Sequence, residues 1–122
     1  MTRARRETGL RGEQRALDAL RRAGYVLLAR NYRCRYGEID LVAEEKGTIV
    51  FVEVKARRSE AYGDPAAAVT RRKQRRIARV ALHYLAVNRM LDRQARFDVV
   101  TLTAGAGGWR IDILRDAFQV EA

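Results

Sequence analysis

The chain reads as one mixed α/β domain, a mixed central sheet flanked by helices, with elements in the order α, β, β, β, α, β, β. Apolar residues recur at helical spacing in two stretches, residues 9 to 23 and 70 to 90. Between and after them lie short runs rich in Val, Ile, Leu and Phe, bounded by turn-forming residues, which is the signature of strands. A length of 122 residues suits a single domain spanning 1–122 with a sizeable core, and no repeat or low-complexity segment interrupts it.

Residues 1 to 8 are polar and basic and are expected to form a loose arm. In the helix that follows, Leu10, Ala16, Leu17, Leu20 and Ala23 share one arc, and Gly24 is a natural stop. Glu13 falls inside that apolar arc, so it points toward the sheet. It is either a third acid near a site or a helix N-terminal acid reaching back to solvent.

Residues 25 to 33 follow as a strand. Residues 38 to 43 and 49 to 55 then form a hairpin around Glu44-Glu45-Lys46-Gly47-Thr48. A four-residue loop over residues 45 to 48 pairs Glu44 with Ile49, Asp40 with Glu53 and Glu38 with Lys55. Alternation puts Glu38, Asp40, Val42, Ile49, Phe51, Glu53 and Lys55 on one face, and Ile39, Leu41, Val50, Val52 and Val54 on the other. Two carboxylates about 5 Å apart are destabilising without a compensating cation. Lys55 and a divalent metal are the two candidates.

Beyond the hairpin, residues 57 to 61 are an unpatterned polar loop, either a mobile cover or a plain connection, and Gly63-Asp64-Pro65 signals a helix start. In the second helix Ile77, Val80, Ala81, Tyr84, Leu85 and Val87 face the core, with Arg71, Arg72, Arg75, Arg76 and Arg79 opposite. Lys73 and Gln74 lie at the N-terminal end of the buried arc, within reach of the ionic end of the hairpin. Six basic residues and no acid in the first turns oppose the helix dipole, a conflict that a phosphate backbone would relieve; a plain solvated basic face is the competing reading. Residues 96 to 103 and 109 to 114 are the last strands, joined by Gly105-Ala106-Gly107-Gly108. With a helix of about twenty residues between them, the strands at Ile49 and Arg96 can lie parallel through a right-handed crossover. Asp98 reads as structural.

The net charge of +10 is unevenly spread. Residues 1 to 35 hold ten basic and three acidic residues, residues 36 to 55 two and five, residues 56 to 79 eight and two. An acidic pocket between basic flanks suits a polyanion drawn across a metal site, nucleic acid above all. Attraction to an anionic membrane, or basicity swollen by a genomic taste for arginine (22 Arg against 3 Lys), is the competing reading. One cysteine, Cys34, and one histidine, His83, exclude a disulfide framework and a Cys/His zinc cage, so any metal is oxygen-bound, Mg²⁺ or Mn²⁺. No apolar run approaches a membrane span and no signal segment follows the basic start, so a cytoplasmic protein is expected.

Asp40 and, thirteen residues on, Glu53-Val54-Lys55 resemble the signature of the PD-(D/E)xK nuclease superfamily, the restriction endonuclease-like αβββαβ fold. The run YGEIDLVAEEKGTIVFVEVK looks like the bacterial YraN-like family. So do Gly24-Tyr25, Asn31-Tyr32, Gly63-Asp64-Pro65 and Arg96-Phe97-Asp98-Val99-Val100, a likeness spanning residues 9 to 118. The superfamily's signature proline is replaced by Ile39. The resemblance implies a Mg²⁺- or Mn²⁺-dependent nuclease. Asp40, Glu53 and the Val54 carbonyl bind the metal, Glu13 joins as the first-helix acid, through a water, and Lys55 orients the attacking water. Archaeal Holliday junction resolvases share the superfamily, which implies branched or structured DNA. Arg57, Arg58, Arg71, Arg72, Lys73, Gln74, Arg75, Arg76 and Arg79 are the expected nucleic-acid contacts. A homodimer is a further expectation, since related nucleases often pair and Leu82 falls on the polar arc of its helix. Two other readings stay open: a non-catalytic nucleic-acid-binding module whose polar cluster is an ion-pair network, and a protein-interaction domain with a basic face.

Overall fold

The computed structural model describes residues 3–57 and 69–120, with side chains from residue 12 onward. Helix α1 (Arg3–Arg22) precedes strands β1 (Val26–Cys34), β2 (Gly37–Glu45) and β3 (Thr48–Arg57). Helix α2 (Arg71–Val87), β4 (Ala95–Gly105) and β5 (Gly108–Phe118) follow. One sheet runs β1-β2-β3-β4-β5, antiparallel throughout except for the parallel β3–β4 pair, which the crossover through α2 makes possible. This is the expected mixed α/β order, consistent with a restriction endonuclease-like core.

Several boundaries move. Helix α1 starts at Arg3, so most of the expected basic arm is helical backbone. The hairpin turn is only Lys46-Gly47, at φ 50° and 84°, with Glu45 paired to Thr48. Left-handed backbone at both tip residues is what a two-residue hairpin with the native twist demands, and Gly47 supplies it at no steric cost. The register through Glu44 and Ile49 is unchanged by the shorter turn. Helix α2 is capped by the Thr70 hydroxyl, which accepts from the Lys73 N–H, and it ends at Val87, with Asn88 as its C-cap, before the expected Met90. Val87, expected in the core, is its last residue and lies 64% exposed. Gly63-Asp64-Pro65, Arg58 and the rest of that connection lie outside the described residues.

Each sheet face carries its own core. Ala16 and Leu20 of α1 cover Leu41, Ala43, Val50, Val52 and Val100. Ile77, Val80, Ala81, Tyr84 and Leu85 of α2 cover Val42, Ile49, Phe51 and Val99. Ile39, expected beside Leu41, joins the α2 side instead. Its partner across the ladder, Tyr32, packs there too, while Arg30 pairs with Leu41 of the opposite face. Alternation therefore slips between residues 39 and 41, and Asn31 on β1 has φ 50° beside the slip. Among the described residues no helix is long and apolar enough to cross a membrane.

Candidate functional site

The slip builds the site. Pairing of β2 with β3 stops at Leu41 and Val52, one step short of the expected Asp40–Glu53 rung. The Asp40 carboxylate replaces the missing rung: its Oδ2 accepts from the Val54 N–H at 2.8 Å. Beyond this point β2 and β3 part, opening a cavity of about 750 Å³ lined by Asp40, Glu53, Lys55, Lys73, Arg76 and Gly37, among others. Asp40 and Glu53 thus share one cavity, as expected, though not as ladder partners. The expected Glu38–Lys55 rung does not form. Glu38 lies beyond the slip and pairs with Arg33 of β1 at 2.9 Å.

Electrostatics make this cavity an unusual place for two carboxylates. Glu53 is 6% exposed, and burial first, then the Asp40 charge, pushes its carboxyl up to about 7. Asp40 is also raised by burial and by the charge of Glu13, against the Val54 hydrogen bond that favours its ionised form. Lys55, half-buried, is held below the ordinary lysine value by burial and by a second ammonium, that of Lys73. Lys73 Nζ stands 3.7 Å from Glu53 Oε2. Two acids reluctant to ionise and two lysines share one opening.

The remaining expectations divide. Lys73 reaches the ionic end of the hairpin as its helical position required. Gln74 does not, because its Nε2 donates to the Val69 carbonyl at 2.8 Å, tying the helix start to the residue before its cap. Arg76 enters the cavity lining. Arg71, Arg72, Arg75 and Arg79 are exposed, and Arg71 and Arg75 border a separate polar hollow with Gln74. Arg57 Nε donates to the Thr103 hydroxyl at 3.1 Å. Glu13 is partly exposed and does turn toward the sheet: Asn31 Nδ2 donates to its Oε2 at 3.5 Å, and Asp40 feels its charge.

Among the described residues no three His, Cys, Asp or Glu side chains converge into a metal cage. Magnesium does not need one, since it keeps several waters and binds through one or two carboxylates. The oxygen donors Asp40 and Glu53 fit such an ion, and a divalent cation between them would relieve the repulsion that raises both. One buried hydroxyl in the sheet lacks a partner among the described residues, that of Thr101, in register with Lys55 across β3–β4.

Sequence reasoning passed over Asn31, whose tolerance of left-handed backbone inside a strand pattern was the available signal. It also passed over a second polar cluster on the other side of the sheet. There the fully buried Asp98 accepts from Tyr25 Oη at 2.7 Å, Arg96 Nε at 2.9 Å and the Asp116 N–H at 2.9 Å. Glu45 joins through Arg96 and a two-point pair with Arg115. Every carboxylate here is satisfied by a fixed protein donor, so Asp98 is structural, as read from the sequence.

Residues 12–102 match the pattern of "Uncharacterised protein family UPF0102". A UPF0102 protein of Syntrophus aciditrophicus is 50% identical over 113 residues, covering 93% of this chain and 89% of that protein. One from Desulfosudis oleivorans is 44% identical over 119 residues, covering 98% and 95%. Another, from Geobacter metallireducens, is 49% identical over 112 residues, covering 92% of each.

Proposed function

Since the chain belongs to the uncharacterised protein family UPF0102, in line with the YraN-like resemblance, we propose its function from its own site. It is a metal-dependent endonuclease of the PD-(D/E)xK type that hydrolyses phosphodiester bonds in nucleic acid, DNA above RNA, with branched or structured DNA among the candidate substrates. The observation that carries this is the pairing of two desolvated, mutually repelling carboxylates, Asp40 and Glu53, with Lys55 and Lys73 in one open cavity.

Asp40, Glu53 and the Val54 carbonyl would hold Mg²⁺ or Mn²⁺, with Glu13 as a further acid on that side. When bound, the ion polarises the phosphate and lowers the pKa of the attacking water. Lys55 orients that water and offsets charge developing on the phosphate. Its depressed proton affinity suits a group that must stay close to proton transfers. Lys73 offsets the charge of Glu53, and Arg76 and Arg33 at the cavity wall draw the polyanion in. The exposed arginines of α2, with Arg57, are the further contacts with the nucleic-acid backbone in this reading.

A second reading has one observation in its favour. Lys73 already stands against Glu53, so the cluster can close as an ion-pair network in a module that binds nucleic acid without cutting it. Cleavage of labelled single-stranded, linear duplex and four-way-junction substrates with Mg²⁺ or Mn²⁺ separates the two. Cutting by the parent that falls about 10²-fold or more in both Asp40→Ala and Lys55→Ala is the expected result. Salt-sensitive binding by all three proteins with no cutting under either metal would favour the binding module.

A further inference from the structure

The turn between β1 and β2 runs against its own local preferences. Cys34 pairs with Gly37, leaving Arg35-Tyr36 as a two-residue loop. Such loops favour pairs like Asn-Gly because the tip needs left-handed backbone, and the β2–β3 turn obeys with Lys46 and Gly47. At the β1–β2 turn neither tip residue is left-handed, and the positive φ of 139° falls on Gly37 instead. Turn chemistry gives no reason for a large aromatic here, nor does the core, since Tyr36 is 38% exposed.

The ring is nonetheless held in place. His83 of α2 meets it edge-on, with centroids 6.2 Å apart at 65°. His83 Nδ1 lies 2.6 Å from Tyr32 Oη, and Tyr32 packs edge-on against the buried Tyr84 at 5.1 Å. The Arg35 Cζ sits 4.8 Å from the centroid of the Tyr36 ring, and its Nη2 donates to Tyr36 Oη at 2.6 Å. A guanidinium–aromatic pair is thus braced by His83 of α2 and presented at the tip. Its chain neighbours Cys34 and Gly37 line the catalytic cavity. The Arg76 stem lies so close to Gly37 that a Cβ there would come 3.0 Å from Arg76 Cδ. Tip, glycine and arginine make one continuous rim.

We propose that Arg35 and Tyr36 form a base-stacking shelf for an unpaired nucleotide flanking the phosphate in the cavity. The substrate is then a single strand, or a duplex with a single-stranded arm at the cut. This rests on the phosphodiester reading of the cavity. A duplex hides the faces of its bases, whereas an unpaired base offers a π-face to any aromatic or guanidinium plane. A shelf already braced by His83 loses little freedom on binding, so most of the stacking energy is available to the complex.

The test is fluorescence anisotropy in EDTA at fixed salt, so that nothing is cut, with a single-stranded DNA oligonucleotide and a blunt duplex of the same sequence. Tyr36→Ala should weaken single-strand binding by about tenfold or more and leave duplex binding within about twofold, a change too small to reflect lost stacking. Tyr36→Trp and Tyr36→Phe should hold the single strand as the parent does. Thermal unfolding of each variant checks the fold, and quenching of 2-aminopurine in the oligonucleotide by the parent reports stacking without any substitution. Equal losses on both substrates, or none on either together with unquenched 2-aminopurine, would overturn the shelf while leaving the nuclease reading intact. Absence of any nucleic-acid binding by the parent would overturn both.

Discussion

Replacing Glu53 by glutamine asks whether the cavity is built to receive a cation or is closed on itself. In the fold this carboxyl titrates at about 7 against an ordinary 4.5, burial first and Asp40 second, with Lys73 and Lys55 pulling the other way. Between those values the folded protein holds a proton that the unfolded chain has released, so stability falls as pH rises through that window. Below about pH 4.5 both states are protonated and there is no penalty. Above about pH 7 both are ionised and the penalty is complete, roughly 3 kcal/mol at about 1.4 kcal/mol per unit. Glutamine keeps the shape without the charge. In EDTA, urea unfolding followed by the fluorescence of Trp109 should find Glu53→Gln more stable than the parent by about 1–3 kcal/mol near pH 8 and close to it near pH 5. Saturating Mg²⁺ should then stabilise the parent and leave the variant unmoved. A variant less stable than the parent near pH 8 would refute the reasoning. It would mean that the Lys73–Glu53 contact repays the burial of Glu53 and that the cluster is scaffold.

Removing the ammonium at Lys73→Met should move the Glu53 titration upward, seen in carboxyl carbon NMR, and tighten Mn²⁺ binding several-fold, because a competing cation 3.7 Å from Glu53 is gone. Unchanged Mn²⁺ affinity would show that Lys73 does not compete for the site. Asp98→Ala removes the buried acceptor shared by Tyr25 Oη, Arg96 Nε and the Asp116 N–H, leaving Glu45 as the carboxylate partner of Arg96, and should cost about 3 kcal/mol in chemical denaturation; a loss below about 1 kcal/mol would count against a structural role. Glu45 is held at about 2 by Arg115 and Arg96, so its contribution is complete above its ordinary 4.5 and is lost as pH falls toward about 2. Arg115→Ala raises that carboxyl and should shift acid unfolding, followed by circular dichroism, to higher pH; an unmoved midpoint would contradict the assignment.

Much of the site was legible in the residues because the signals were local. Glu44 and Ile49 were paired correctly even though the turn proved two residues long rather than four, since shortening a loop symmetrically leaves the register alone. Lys73 was placed near the hairpin by helical phase alone, and the parallel β3–β4 pair followed from the length of the crossover. Errors came where a local period was carried past the point at which the chain abandons it. Ile39 changed faces, Glu38 turned to Arg33, Gln74 served its own helix start and Val87 was left exposed at the end of α2.

By itself the sequence determined the order of elements, the two amphipathic helices and the presence of Asp40, Glu53 and Lys55 on neighbouring strands. These depend on periods of 3.6 and 2 residues, which are written in the chain and need no partner to be read. Only the tertiary structure decided where the β2–β3 ladder ends, that an Asp40 side chain takes over its next hydrogen bond, and that of Lys73 and Gln74 only Lys73 enters the cavity. Those are outcomes of strand pairing and helix docking across long stretches of chain. Their energies depend on burial and on neighbouring charges that no single segment contains.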